Sequence, residues 1–263
     1  MRDKERTSGV FIGALQDAWT VIPDVVESHL TKVASLDGML GTTNDERFVN
    51  LNTAYLSDGA VVYIPKGIDI EQPIHILYIS KADHGPTTVF PRNLIVLQAR
   101  SAAKVIESYV GLDGIVMTTA VTEVVLGVDA ILEHTKFQNE GPSSLHVANV
   151  SVRQDGSSTY TSNNFNTGGE IVRNDINIAL NGEHTETWLN GASIGFGRQV
   201  IDNHTRIDHQ KPNCHSYEVY KSVLGGRSQG VFNGKIFVYV DAQKTDAKQS
   251  NQALLLSPQA GIN

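Results

Sequence analysis

From about Phe48 onward the sequence is a succession of short strand-like runs, with no helical pattern of 10–15 residues between them. Several runs alternate apolar and polar residues, and they are separated by turn-like dipeptides such as Gly168-Gly169, Asn181-Gly182, Asn190-Gly191 and Asn233-Gly234. We predict strands at residues 61–64, 74–79, 93–98, 104–110, 118–126, 130–137, 145–152 and 171–180. Because helices do not alternate with these strands, a doubly wound α/β fold is disfavoured.

The number of strands narrows the choice among all-β architectures. Ten or more strands after a short helical lead are many for one sandwich, whereas a β-solenoid buries its core by stacking coil on coil and tolerates imperfect repeats. The sequence has no sharp repeat period. The strand number therefore favours a solenoid over a sandwich or a barrel.

The N-terminal fifth has a different pattern. Residues 13–20 and 23–34 are predicted as two short helices, with Pro23 at a first helical position and apolar residues recurring on one face. Residues 35–47 are polar and contain glycine, which is typical of a loop. We therefore divide the chain into a helical lead and loop, 1–47, and a β core, 48–263.

Composition excludes several classes of protein. The 21 Lys and Arg residues against 28 Asp and Glu give a formal charge of −7, which argues against binding to nucleic acid or to an anionic membrane. Cys214 is the one cysteine of the 263 residues, so there is no intrachain disulfide. The sequence shows no secretory signal and no apolar run of 18 residues, so we expect a cytoplasmic protein.

The stretch 157–166 (SSTYTSNNFN) is unusually polar for a core. Its Ser, Thr and Asn residues have β-compatible spacing, so they can form hydrogen-bonded ladders between stacked coils. The simpler interpretation, a solvated face of a sheet, is favoured here.

Two motifs suggest hydrolytic enzymes, and both have weak context. Residues 191–195 (GASIG) match the G-x-S-x-G nucleophile elbow around Ser193, but no helix pattern follows. Asp202, Arg206 and Asp208 alternate and so share one face, as in a solenoid polysaccharide lyase or hydrolase, but such enzymes are usually exported.

The most ligand-like group in the sequence surrounds the single cysteine. His204, Asp208, His209, Cys214 and His215 lie close in sequence, and a thiolate with imidazoles is a typical ligand set for zinc or iron. The cysteine could also carry sulfur, because neighbouring imidazolium groups lower the pKa of a thiol. The ordinary alternative, which is favoured, is a small buried cysteine beside surface histidines. Cys214, His209 and His215 are the metal-ligand candidates.

Several spaced segments, in order, resemble the SufB/SufD family of iron–sulfur cluster assembly proteins. These segments are 62–67 (VYIPKG), 208–216 (DHQKPNCHS), 230–236 (GVFNGKI), 242–249 (AQKTDAKQ) and 254–257 (LLLS). The segments around 232–236 and 242–249 are more similar to the SufD branch. The resemblance extends from about residue 48 to the end of the chain.

The resemblance implies an all-β, right-handed parallel β-helix with a short helical segment at its N-terminus. It implies a scaffold without catalytic activity, which assembles with a SufB-like paralogue and a SufC-like ABC ATPase, the latter supplying ATP hydrolysis. A transient Fe–S cluster is expected at a partner interface, with no cofactor held firmly on this chain. A homodimer is a further expected assembly, and the compartment would be the cytoplasm, or the plastid stroma in a photosynthetic eukaryote.

The sequence departs from the family pattern at both ends. Family members have a longer N-terminal helical region, and they continue past the 254–257 segment into a strand with a Cys-x-His pair and a helical domain. That pair has no equivalent before Asn263. We therefore expect a truncated form of a family member, and Cys214 has no role carried over from the family.

Overall fold

The computed structural model describes residues 9–34 and 46–263, without the side chain of Glu46. Strands make up 58% of the chain and helices 9%, in a parallel β-solenoid of about seven turns. Three helices lie near the N-terminus of the described part: α1 (Leu15–Val21), α2 (Pro23–His29) and α3 (Glu46–Ala54). The all-β class and the solenoid are thus confirmed.

The strands of the described residues form two sheets. The first contains β1 (Phe11–Ala14), β2 (Ala60–Ile64), β4 (Thr87–Val89), β5 (Arg92–Leu97), β7 (Val116–Leu126), β9 (Leu145–Gln154), β11 (Ile171–Leu180), β13 (Val200–His209), β15 (Gln229–Val238) and β17 (Gly261–Ile262). The second contains β3 (Asp69–Ser80), β6 (Ala102–Gly111), β8 (Ile131–Asn139), β10 (Thr159–Asn166), β12 (Glu186–Gly195), β14 (His215–Leu224) and β16 (Asp246–Leu255).

From β5 onward the chain alternates between the two sheets, so each strand pairs with the strand two positions further on. In the second sheet the order is β3-β6-β8-β10-β12-β14-β16, and every pair is parallel. Only β1 runs antiparallel among the pairs described, along β2. All eight predicted strands are present, each within a few residues of its predicted ends.

The apolar core lies between the two sheets. Fully buried Val124 and Ile178 come from the first sheet, and fully buried Leu132 and Leu189 from the second. Strand side chains alternate between faces, so residues at every second position stack in columns along the solenoid. These columns extend the core coil by coil.

A repeat becomes visible at one corner of the solenoid. Arg100, Asp129, Ser157, His184 and Asn213 are 27 to 29 residues apart, and each has a positive φ of 56–60°. This left-handed conformation usually favours glycine, so its use by five different residue types hides the period in the sequence.

Two of the predicted turn signals are wrong. Asn190-Gly191 lies inside β12 and Asn233-Gly234 inside β15. Gly191 is needed for space, because a Cβ atom there would overlap the ring of Tyr220 on the adjacent strand. Glycine marks close packing at these positions instead of a turn.

The N-terminal helices cover the outer face of the first sheet. Leu15, Ala18 and Val26 of α1 and α2 are buried against Leu94 and Val125 of the sheet. The helix predicted over 23–34 begins at Pro23 as expected but ends at His29. We expected the helical pattern to end before Phe48, whereas α3 extends to Ala54. The predicted loop 35–47 lies largely outside the described residues, and the division at residue 48 stays a prediction.

A buried ion pair joins this helical region to the solenoid. The Arg92 Nε atom donates to Glu123 Oε1 at 3.0 Å, and both side chains are fully buried. Glu123 also accepts hydrogen bonds from the backbone N–H groups of Thr31, Val33 and Ala34 at 2.7–3.1 Å. One carboxylate on β7 therefore holds the segment that follows α2.

Candidate functional site

The buried interior of the solenoid changes from apolar to polar side chains along its strands. On β8 the inward positions pass from Leu132 to His134, Lys136 and Gln138, all 4% exposed or less. On β10 they pass from Tyr160 to Ser162, Asn164 and Asn166, also buried.

The favoured interpretation of 157–166 as a solvated face is therefore wrong for half of its positions. The inward residues lie within the stack, and Asn166 Nδ2 contacts Ser193 Oγ of the next coil at 3.4 Å.

Glu107 lies at the centre of a first group of buried polar side chains. Its carboxylate accepts from Thr122 Oγ1 at 2.8 Å and from Tyr109 Oη at 3.0 Å. His134 Nε2 lies 3.2 Å from Glu107 Oε1, and the other ring nitrogen lies 2.9 Å from Tyr160 Oη. Although burial opposes ionisation, His134 and the hydrogen bonds lower the pKa of Glu107, so the carboxylate is charged.

Glu140 lies in a second group, which borders the first. His146 Nδ1 is 2.7 Å from Glu140 Oε2, and Thr118 and Gln138 also donate to this carboxylate. His146 and these hydrogen bonds outweigh burial and lower the pKa of Glu140 to about 2. Burial and the nearby Lys136 lower the pKa of His146, although Glu140 opposes this shift.

Lys136 supplies a buried cation between these groups. Its ammonium donates to Asn174 Oδ1 at 2.6 Å and lies 5.6 Å from the centre of the Tyr109 ring. Burial lowers the pKa of Lys136 to about 8, although the two glutamates oppose this shift. The interior thus combines carboxylates, an ammonium and imidazoles away from water.

A cavity of about 330 Å³ opens beside these groups, and we call it the tyrosine cavity. Four of its lining residues, Tyr78, Tyr109, Thr118 and Glu140, we call the floor. The other lining residues include the apolar Ile79, Val89, Phe90, Pro91 and Val116 and the polar Ser57, Asp58, Ser80 and Lys81. Tyr78 and Tyr109 stack with ring centres 5.2 Å apart. The polar interior is therefore bordered by a pocket of a size typical for small ligands, roughly 300–1,000 Å³.

Another polar cluster lies near the C-terminal coils. Thr205 Oγ1 donates to Glu218 Oε2 at 2.6 Å, while Glu218 Oε1 is buried and has no hydrogen-bond partner among the described residues. Burial raises the pKa of Glu218 to about 6. His209 Nε2 lies 2.9 Å from Ser216 Oγ, and burial with the nearby His215 lowers the pKa of His209 to about 4.

The metal-ligand candidates Cys214, His209 and His215 occupy this C-terminal region. Cys214 is fully buried, and its thiol donates to the backbone carbonyls of Gly182 at 3.3 Å and Pro212 at 3.4 Å. His209 is buried at the end of β13, whereas His215 is half-buried at the start of β14. Across residues 9–34 and 46–263, no group of three or more His, Cys, Asp or Glu side chains is placed to hold a metal ion. The ligand role stays a prediction.

The two hydrolase motifs are not built as sequence patterns suggested. Ser193 is an inward-facing residue of β12, 3% exposed, and not the apex of a strand-to-helix turn. Asp202 lies 3.1 Å from Arg173 and 2.8 Å from His204, and Asp208 is fully buried against Arg206. The elbow is therefore absent at Ser193, and the two aspartates are engaged in ion pairs.

Glu107, His134, Lys136, Glu140 and His146 were missed as candidates. The sequence contained a signal for them. Leu132 is an inward-facing apolar residue, and His134 and Lys136 follow it at every second position, so they are predicted to face inward as well. Polar residues in a strand are usually taken to face solvent, which conceals a polar interior.

The comparison with protein families decides the identity. Residues 78–263 match the description "SUF system FeS cluster assembly, SufBD core domain", and residues 1–76 match "SufBD protein N-terminal region". The chain belongs to the SufBD family. The similarity thus begins at the first residue, earlier than the residue 48 expected from the motifs.

Curated relatives agree with this assignment. An iron-sulfur cluster assembly SufBD family protein of Synechocystis is 33% identical, over 84% of this chain and 51% of the relative. Protein ABCI7, chloroplastic, of Arabidopsis thaliana is 28% identical, over 97% and 54%. SufD of Escherichia coli is 27% identical, over 86% and 54%. The chain therefore spans about half the length of the curated relatives it matches. Within the described residues, no helix is long and apolar enough to cross a membrane.

Proposed function

We propose that this chain works as a SufD-like scaffold subunit in iron–sulfur cluster assembly. The match of residues 78–263 to the SufBD core carries the proposal, because it covers every strand from β4 to β17. Relatives named for iron–sulfur cluster assembly support the same function. The carbohydrate-active alternative has no such support.

The proposed partners are a SufB-like paralogue and a SufC-like ABC ATPase. In this proposal ATP hydrolysis belongs to the SufC-like partner, this chain has no catalytic role, and a homodimer is a second assembly. The cluster is cargo that forms transiently at a partner interface. A chloroplastic relative supports the plastid stroma as one compartment, with the bacterial cytoplasm as the other.

Co-expression of the full reading frame with SufB-like and SufC-like proteins of the same genome tests the proposal. We expect all three to co-purify through a tag on this chain. Binding to neither partner would contradict the proposed function.

A further inference from the structure

The tyrosine cavity carries an inference that is independent of the proposed assembly function. We propose that it binds a small organic ammonium ion, a primary amine attached to an apolar body. Three features favour such a ligand: the engaged hydroxyl protons at the floor, the charges around the cavity, and the apolar residues among its lining.

Each hydroxyl group of the floor already donates its proton to another side chain of the protein. Tyr78 Oη donates to Asn93 Oδ1 at 2.5 Å, and Tyr109 Oη donates to Glu107 Oε2 at 3.0 Å. Thr118 Oγ1 donates to the carboxylate of Glu140. A hydroxyl group has one proton, so these oxygens offer only lone pairs to a ligand. The floor is therefore a set of hydrogen-bond acceptors.

An ammonium group is the complement of such a floor. It has three donors and no acceptor, whereas carboxylates and phosphates have only acceptors and an alcohol has a single donor. Hydrogen bonds between an ionised donor and oxygen acceptors are also stronger than bonds between neutral groups. The floor thus selects ammonium over neutral and anionic ligands of the same shape.

Charge near the cavity favours the same ligand. The carboxylate of Glu140 is ionised at neutral pH and lies at the floor, and Asp58 adds a second carboxylate among the lining residues. Lys81 also lines the cavity, but its ammonium lies 2.7 Å from Asp83, which offsets its charge. The buried Lys136 ammonium interacts with both Glu107 and Glu140, so one cation stands against two carboxylates there. Burial and nearby carboxylates raise the pKa of Tyr78 and Tyr109, so both keep their hydroxyl protons.

The walls specify the rest of the ligand. Ile79, Val89, Phe90 and Val116 line the cavity, and the volume of about 330 Å³ suits a body the size of one aromatic ring. Apolar walls with a few fixed polar groups are typical of small-molecule sites. Benzylammonium is therefore a suitable probe.

Isothermal titration with three isosteric probes tests the chemistry. Benzylammonium is expected to bind one saturable site, more weakly at high salt, since salt screens charge. Benzyl alcohol is expected to bind about tenfold or more weakly, and benzoate not at all. Three results would overturn the proposal. They are equal binding of benzyl alcohol and benzylammonium, tighter binding of benzoate than of benzylammonium, and no binding of benzylammonium at concentrations up to about 20 mM, which would detect a dissociation constant in the millimolar range.

A pair of tyrosine variants tests whether benzylammonium binds in the tyrosine cavity. Tyr78→Phe removes an acceptor from the floor and is expected to weaken benzylammonium about tenfold or more, because bonds to charged groups are strong. Tyr217→Phe removes a hydroxyl that donates to Asp246 on β16, away from the cavity, and is expected to leave binding unchanged.

Equal effects of the two tyrosine substitutions, or no effect of Tyr78→Phe, would overturn the proposal. If Tyr78→Phe does not fold, Asp58→Asn replaces it; weaker binding with reduced salt dependence supports the site, and unchanged binding overturns it.

Discussion

Glu123→Gln is the substitution that tests most sharply how the N-terminal region is attached to the solenoid. The carboxylate accepts from Arg92 and from three backbone N–H groups, those of Thr31, Val33 and Ala34. A glutamine has one acceptor oxygen, and its NH₂ group would face donors. The variant therefore leaves at least one backbone donor unmatched and Arg92 buried without its counter-charge.

The expected cost follows from that arrangement. Removing one partner of a buried ion pair costs about 3–5 kcal/mol. Since 1 kcal/mol lowers the melting temperature of a chain of this size by about 2–4 °C, we expect a decrease of roughly 6–20 °C. The segment after α2 should also become more sensitive to protease, because its hydrogen bonds depend on Glu123.

Differential scanning calorimetry and limited proteolysis measure these two effects. Glu133→Gln is the matched control, because Glu133 pairs with Lys104 at 3.4 Å on the surface, with the two side chains about half exposed. An exposed pair contributes about 0–1 kcal/mol, so this control should melt within about 4 °C of the parent protein. Equal melting temperatures for the two variants would refute the reasoning about the buried pair.

Three further predictions follow from the core and the C-terminal coils. Burial raises the pKa of Glu218 from 4.5 to about 6, so the protein loses stability as the pH rises through this range. Glu218→Gln should therefore increase the free energy of unfolding by up to about 2 kcal/mol at pH 7.5 and leave it unchanged at pH 4.5. Denaturant unfolding at both pH values measures this, and the same change at both would contradict it. Gly191→Ala should destabilise the protein by about 1–3 kcal/mol because the new methyl group overlaps Tyr220, and a change as small as that of Asn190→Ala on the outer face would contradict the packing argument. The ligand hypothesis predicts that Cys214→Ser lowers iron and sulfide to background after anaerobic reconstitution, whereas unchanged content would remove that hypothesis.

The strands could be predicted because the alternation of apolar and polar residues is visible within each short run of sequence. Residues 171–180 were predicted with the bounds that β11 has, and residues 145–152 lie within β9. The solenoid repeat could not be predicted, because Arg100, Asp129 and Ser157 adopt the left-handed corner conformation without glycine. The corner conformation thus recurs along the solenoid, but no single residue type recurs with it in the sequence.

The buried polar groups were harder to predict than the fold. Glu107 and Lys136 are adjacent in the register of β6 and β8, but they are 29 positions apart in sequence and carry no known motif spacing. Asn190-Gly191 was misinterpreted as a turn because the demand for a missing Cβ comes from Tyr220 on another coil. Both features depend on contacts between coils, which sequence periodicity alone does not contain.

Native mass spectrometry of the full reading frame co-expressed with its SufB-like and SufC-like proteins tests the central claim most directly. The account predicts one heteromeric species that contains this chain together with both partners. Spectra that show this chain only as a monomer, while the two other proteins associate without it, would contradict the assignment as a SufD-like scaffold.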